Sequence, residues 1–287
     1  MQITGVISFP ILADLSTIPF SGTEVVQGVE CSSSDGDSPG RVRVVVDGKV
    51  DVLAFYGAAP EGVVADPVIF LRGDAVEKRD NGVVANERYI TTTAYDVQAL
   101  AEQLCASFAR PFIHLARPGI LGSTGHHLDR RRPREVALVD MALTRLKAHF
   151  RWRQLNLVGQ SGGGHLVAAL IARRTDVNCA VITSGNTAVA QRNREKGWTT
   201  DITGHADFFD PIDHVAEVAR RPPEKIIVLT DPFDKLVSAS VQTAYVEALR
   251  RVGVVVDHRF MPAMGKDSHD LHLPGILAAF TFLANHS

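Results

Sequence analysis

A chain of 287 residues with 45% hydrophobic, 22% charged and 7% aromatic content can bury a large core and has the composition of an ordinary globular enzyme. Its 30 basic and 32 acidic residues leave a net charge of −2, so no overall field draws it to nucleic acid, an anionic membrane or a polyanionic substrate. Three widely spaced cysteines, Cys31, Cys105 and Cys179, form no Cys-x-x-Cys pair, which argues against a disulfide framework or a zinc site. No run approaches the roughly eighteen apolar residues that span a bilayer, and the N-terminus lacks a basic stretch followed by an apolar core. A reducing, cytoplasmic setting is expected, with no metal and no cofactor.

Residues 1–30 are rather apolar and are broken by Pro10 and Pro19, and residues 31–40 read as a flexible loop rich in Ser, Asp and Gly. The first forty residues are read as an arm or as extra strands with that loop, ahead of a catalytic domain over 41–287. An arm would cover the site or a partner subunit; an extra strand or loop packed on the core is the simpler reading.

From Arg41 onward, short β-rich runs alternate with helical patterns, which predicts an α/β fold with a mostly parallel central sheet flanked by helices. Candidate strands are Arg41–Val46, Val52–Tyr56 and Pro67–Leu71, then a helix over Asp96–Phe108 and the strand Pro111–Ala116. After a Gly-rich loop comes Arg130-Arg131-Arg132 with Arg134, read as a solvated start to a helix, with a site for a substrate carboxylate as the alternative. Val136, Val139, Leu143, Leu146 and Phe150 recur at steps of three and four, so residues 134–150 form a helix with one apolar stripe. The apolar strand Leu155–Val158 runs into Gly159-Gln160-Ser161-Gly162-Gly163-Gly164 and a helix that is apolar nearly all round. The strand Ala180–Thr183, a polar stretch to about Pro211, a helix over Ile212–Arg220, the strand Lys225–Thr230, a helix over Val237–Val252, the strand Val254–Phe260 and a helix over Pro274–Asn285 complete the chain.

The motif Gly159-x-Ser161-x-Gly163 carries chemistry because of its setting. A serine on a sharp strand-to-helix turn has strained backbone angles, and glycines on either side relieve collisions with neighbouring chain. The backbone N–H of Gly162, at the start of the following helix, is then placed to stabilise an oxyanion. A dinucleotide-binding loop has similar glycine spacing, but its central glycine is missing here. Ser161 is therefore the candidate nucleophile. It needs a histidine to take its proton and a carboxylate to hold that histidine, in the chain order Ser, acid, His. Asp234, in the loop after Lys225–Thr230, is the preferred acid, with Asp231 as the alternate that shapes the turn before Pro232. The loop after Val254–Phe260 holds two histidines. His269 is the preferred base, and His272 remains open as the alternate. His165 is read as outward-facing or capping the helix after Ser161, and His114 as a satisfied core histidine.

With these residues in place the sequence resembles the α/β-hydrolase superfamily, in its prolyl-oligopeptidase and dienelactone-hydrolase-like branch, from about residue 41 to the end. Leu71-Arg72-Gly73-Asp74 follows the third strand where the family has a His-Gly oxyanion motif, so the resemblance implies the N–H of Asp74 as second oxyanion donor, with Arg standing where His is usual. Arg117-Pro118-Gly119-Ile120-Leu121-Gly122-Ser123-Thr124-Gly125 resembles the family's Arg-Gly-rich loop. The stretch from Gly185 to Asp210 is too short for a large cap domain, and its Trp198, Phe208 and Phe209 either line a substrate wall or anchor packing. The resemblance implies a serine hydrolase without selecting its substrate; an esterase acting on small-molecule esters is expected, with an aminopeptidase or amidase acting on short peptides, or a catalytically silent binding protein, as rivals. A homodimer is left open.

Overall fold

A computed structural model describes residues 5–32, 36–80 and 82–286, so the centre of the expected flexible loop, residues 33–35, and the first four residues of the chain lie outside the described residues. The chain divides into two compact units. One comprises Met1–Ile69, Ala75–Arg130 and Ala137–Arg153; the other comprises Phe70–Asp74, Arg131–Val136 and Gln154–Ser287.

In the first unit, β1 (Val6–Phe9) pairs antiparallel with β3 (Lys49–Pro60), and so does β2 (Arg41–Val46). The β2–β3 connection is Asp47-Gly48, both with positive φ of 52° and 74°, the two-residue hairpin turn whose twist matches that of its strands. Just before β2, Asp37 accepts from the Arg43 N–H at 2.7 Å and pairs with Arg145 at 2.6 Å. β4 (Val68–Leu71) contributes residues to both units. A hairpin of β5 (Val76–Arg79) and β6 (Gly82–Ala85) follows. The short α2 (Glu87–Ile90) comes next, and then α3 (Ala94–Phe108), whose start is fixed by a capping box between Thr93 and Asp96.

β7 (Phe112–Leu115) pairs antiparallel with β3. The glycine-rich loop beyond it is stitched to β3: Val52 N–H donates to Thr124 Oγ1 at 2.8 Å and Ala54 N–H to Ser123 Oγ at 3.0 Å. A core of Val25, Tyr56, Tyr89, Val97, Ile120 and Leu121 is closed by Tyr hydroxyls, Tyr56 Oη donating to Leu121 C=O and Tyr89 Oη accepting from Leu121 N–H, both at 2.9 Å. Val25 lies in α1 (Gly22–Gln27). α4 (Pro133–Phe150) opens on proline, which is pre-set for the first helical turn.

The second unit is built on parallel strands in the order β8 (Leu155–Gln160), β9 (Val177–Thr183), β10 (Lys225–Thr230) and β11 (Asp257–Phe260). The helix α5 (Gly162–Ile171) is buried along its whole length and packs on β8 and β9, as an all-round apolar helix must. α6 (Val189–Lys196), α7 (Val215–Arg220) and α8 (Ala239–Arg251) follow. α9 (His272–Ala284) approaches β8 and β9 so closely that a Cβ on Gly275 would lie 2.5 Å from Thr183 Cγ2.

The architecture is α/β, with a central sheet and flanking helices and no large cap domain. Pairing is parallel along β8, β9, β10 and β11 and antiparallel where β3 meets β1, β2 and β7; β2 and β3, joined by a two-residue turn, can only run antiparallel. α1, α2, the β5–β6 hairpin and α6, the last within the stretch read as a polar connection, are additions to the sequence reading, and β1 lies in the segment read as an arm or extra strands.

Cys105 and Cys179 are fully buried, whereas Cys31 is half-buried, and none is bridged. Burial, with a smaller push from Glu102, raises the Cys105 thiol to about 11, and burial raises that of Cys179 to about 12. The thiolate is the reacting species. At pH 8 the folded protein is therefore expected to give one fast equivalent with a disulfide reagent, from Cys31, and three after denaturation. Two fast equivalents from folded protein would contradict the burial.

Candidate active site

β8 ends at Gln160 and α5 begins at Gly162, leaving Ser161 as the hinge with φ 56° and ψ −114°. Such angles are costly for a residue with a side chain. They are held by Ser161 N–H donating to Thr183 C=O at 2.8 Å and by His165 N–H donating to Ser161 C=O at 3.0 Å. The Ser161 side chain makes no capping hydrogen bond, so its hydroxyl is not committed to the helix it precedes. The flanking glycines are required by close approach. A Cβ on Gly159 would lie 2.2 Å from Gly163 O, and a Cβ on Gly163 would lie 2.0 Å from Leu71 O. The Leu71–Asp74 segment thus rests directly on the turn, and a Cβ on Gly73 would lie 3.1 Å from Ser161 Cβ.

The loop after β10 carries both candidate acids, and their partners differ. Asp231 Oδ1 accepts from Phe233 N–H and Oδ2 from Ala263 N–H, each at 2.7 Å; both of its oxygens serve the backbone. Asp234 Oδ1 accepts from the N–H groups of Leu236 and Val237, each at 2.9 Å, and its two oxygens lie 2.9 and 2.8 Å from His269 Nδ1. The Asp234 side chain is wholly buried and that of His269 is 15% exposed. An ionised carboxylate only accepts, so in the neutral ring this contact selects the tautomer with the proton on Nδ1 and the lone pair on Nε2. His272, the first residue of α9, is engaged instead by Asp270 through Nδ1, with its ring 6.2 Å from that of Phe70. It packs at the start of the helix.

Two further residues hold this arrangement: Gln160, which did not stand out in the sequence, and Arg131, which stood out only as part of a basic run. Gln160, next to Ser161, reaches the His269 loop: its Nε2 donates to His269 C=O at 2.7 Å and its Oε1 accepts from Leu271 N–H at 3.1 Å. Arg131 donates through Nη1 and Nη2 to Asp74 Oδ2 at 2.7 and 2.8 Å, and its Nε lies 3.3 Å from Asp201 Oδ1. The arginine run is therefore not a solvated helix start. Arg130 and Arg131 are 2% and 3% exposed, while Arg132 forks onto a surface partner, Asp207. Runs of one charge are usually solvated; here buried carboxylates supplied from distant segments take up the charge.

His165 likewise departs from expectation. It is completely buried, and its Nε2 lies 2.8 Å from Phe209 C=O. Two aromatic residues of the 185–210 stretch have packing partners: Phe209 stacks on His214 at 4.2 Å, and the Arg192 guanidinium lies 5.1 Å above the Trp198 ring. Among the described residues, no group of three His, Cys, Asp or Glu could hold a metal ion, and no helix is long and apolar enough to cross a membrane.

No family model matches the sequence, and no curated protein matches it either. Solved structures do. The esterase Pf2001 of Pyrococcus furiosus superposes with a TM-score of 0.59 at 12% identity, over 85% of this chain and 91% of that one. The fold is the α/β-hydrolase fold. The uncomplexed acylaminoacyl peptidase of Pyrococcus horikoshii gives 0.58 at 10% identity, over 85% of this chain and 40% of that larger one. A Klebsiella pneumoniae protein assigned as a dienelactone hydrolase gives 0.52 at 14% identity, over 84% of this chain and 97% of that one. Within the α/β-hydrolase fold, Ser161 occupies the turn after a parallel strand, and Asp234 and His269 lie in loops at the carboxyl ends of β10 and β11, where such sheets bring functional residues together.

Proposed function

We propose that the chain is a serine hydrolase that cleaves small carboxylic esters through Ser161, His269 and Asp234. The observation that carries this reading is the 2.8 Å contact between Asp234 and His269 Nδ1, made by a histidine whose backbone is tied to the residue beside a serine with φ 56°. In this reading Nε2 takes the Ser161 proton as Oγ attacks the ester carbonyl. The N–H of Gly162, at the positive end of α5, and the N–H of Asp74 stabilise the oxyanion. The imidazolium then protonates the leaving alcohol, and a water activated by the same imidazole hydrolyses the acyl-enzyme. Asp234 orients the ring and stabilises its charged form.

Incubation of the full chain with a fluorophosphonate probe, followed by peptide mapping, is expected to find the label on Ser161. Parallel assays with p-nitrophenyl acetate and an aminoacyl anilide are expected to favour the ester. A label elsewhere, or none, would overturn the assignment of the nucleophile. Faster anilide cleavage would move the substrate to the short-peptide class of the acylaminoacyl peptidase that the chain resembles in fold.

A further inference from the structure

Gln160 is 6% exposed and ends β8. A carboxamide has one acceptor oxygen and one donor nitrogen, and this one uses both on fixed partners. Oε1 accepts from Leu271 N–H at 3.1 Å and from Thr183 Oγ1 at 2.6 Å, while Nε2 donates to His269 C=O at 2.7 Å. A peptide N–H can only donate and a carbonyl can only accept, so the backbone partners dictate which way the amide faces. One side chain thus grips the chain on both sides of Asp270.

Further hydrogen bonds of this loop among the described residues run elsewhere. Met264 and Asp270 exchange a backbone pair at 3.0 and 3.2 Å, Lys235 N–H donates to Asp267 C=O at 3.0 Å, and Asp231 holds Ala263 N–H. They close the loop on itself and join it to the loop that carries Asp234. Gln160 supplies the link to the strand that carries Ser161.

We infer that Gln160 is a positioning residue, setting the distance between the His269 imidazole and the Ser161 hydroxyl by clamping the His269 backbone to the nucleophile turn. The inference rests on the serine-hydrolase reading above. Asp234 fixes the far edge of the ring, at Nδ1, and Gln160 fixes its root. Without the clamp, the ring keeps its carboxylate partner but can pivot away from Ser161. A misplacement near 1 Å costs about 10²-fold in rate even when substrate binding is untouched.

The test uses the full chain with Gln160→Met and Gln160→Glu, each in the native and in a His269→Ala background, with p-nitrophenyl acetate as substrate and thermal melting as a check on folding. Gln160→Met is expected to lower kcat about 10²-fold with KM nearly unchanged, and to have no further effect once His269 is gone. Gln160→Glu keeps the acceptor for Leu271 and Thr183, loses the donor to His269 C=O and adds a negative charge near the imidazole. Its acid limb of kcat against pH should therefore move to higher pH.

A Gln160→Met enzyme with native kcat would overturn the inference. So would an equal loss in the His269→Ala background, a loss confined to KM, or a loss that follows the unfolded fraction in both variants. If the native chain itself neither turns over the ester nor labels with fluorophosphonate, the hydrolase reading fails and takes this inference with it. Native activity with an indifferent Gln160 sinks the inference alone.

Discussion

Asp234→Asn is expected to lower kcat about 10⁴-fold while leaving the protein folded. The side-chain oxygen that accepts from Leu236 and Val237 N–H survives the change, so the turn after β10 keeps its support. What changes is the atom facing His269. An amide nitrogen would point a donor at Nδ1, which must then become an acceptor. The proton moves to Nε2, where it blocks removal of a proton from Ser161. The same substitution at Asp231 removes one acceptor from the backbone of Phe233 or Ala263 and leaves the imidazole alone, so its cost falls on stability, with kcat within about tenfold of native on the general rule for groups outside the reacting constellation. Steady-state kinetics and melts on both variants separate the two acids. Loss of activity in Asp231→Asn with native kcat in Asp234→Asn would reverse their roles.

The largest effect on stability is expected from Arg131→Met, about 3–5 kcal/mol, measured by denaturant unfolding. The substitution keeps the volume of the side chain and removes its charge. The Arg131 side chain is 4% exposed, and the carboxylates it meets, Asp74 and Asp201, are 15% and 1% exposed. Taking away the cation from two such groups leaves negative charge in a site with little water, which is why breaking a buried pair costs far more than a surface pair is worth. Lysine at 131 should recover only part of the loss, because a single ammonium cannot serve both carboxylates from a rigid fork. Added salt should change the difference little, since screening acts on exposed charge. A change below about 1 kcal/mol, the range of an exposed ion pair, would show that the pair contributes as a surface contact does.

What the sequence made legible was whatever its neighbours along the chain determine. The strands Arg41–Val46 and Lys225–Thr230 have the same bounds in the structure as in the apolar pattern, and the Ser161 turn could be read because its glycines sit beside it. What stayed hidden depends on residues far away in sequence. Arg131 looks solvated until Asp74 and Asp201, 57 residues before it and in the stretch after β9, are brought to it. Gln160 is an unremarkable polar residue until His269 and Leu271, 109 and 111 positions on, close around its amide. His165 was a partial misreading of local information: a helix apolar nearly all round has no outward face, and its one polar side chain had to be buried. The helix α6 escaped because Val189–Lys196 is mostly polar, and its start depends on Asp210, twenty residues later, accepting from the N–H groups of Val189 and Ala190.

The glycines around Ser161 also divide the site into parts with different mechanical behaviour. Backbone presses on backbone where Gly163 meets Leu71, and Gly73 lies against the Ser161 Cβ and the Gln160 carbonyl, so the Ser161 turn and the segment offered as its second oxyanion donor form one closely interlocked block. Asp234 and His269, in contrast, are held by side-chain hydrogen bonds, Asp234 to the Leu236 and Val237 N–H groups and His269 to Gln160 and Asp234, each of which can stretch or exchange on its own. Adaptation of such a site to cold or heat would therefore run through the tethers, at positions such as 160, 231 and 234, while the block stays the same hard anvil at every temperature.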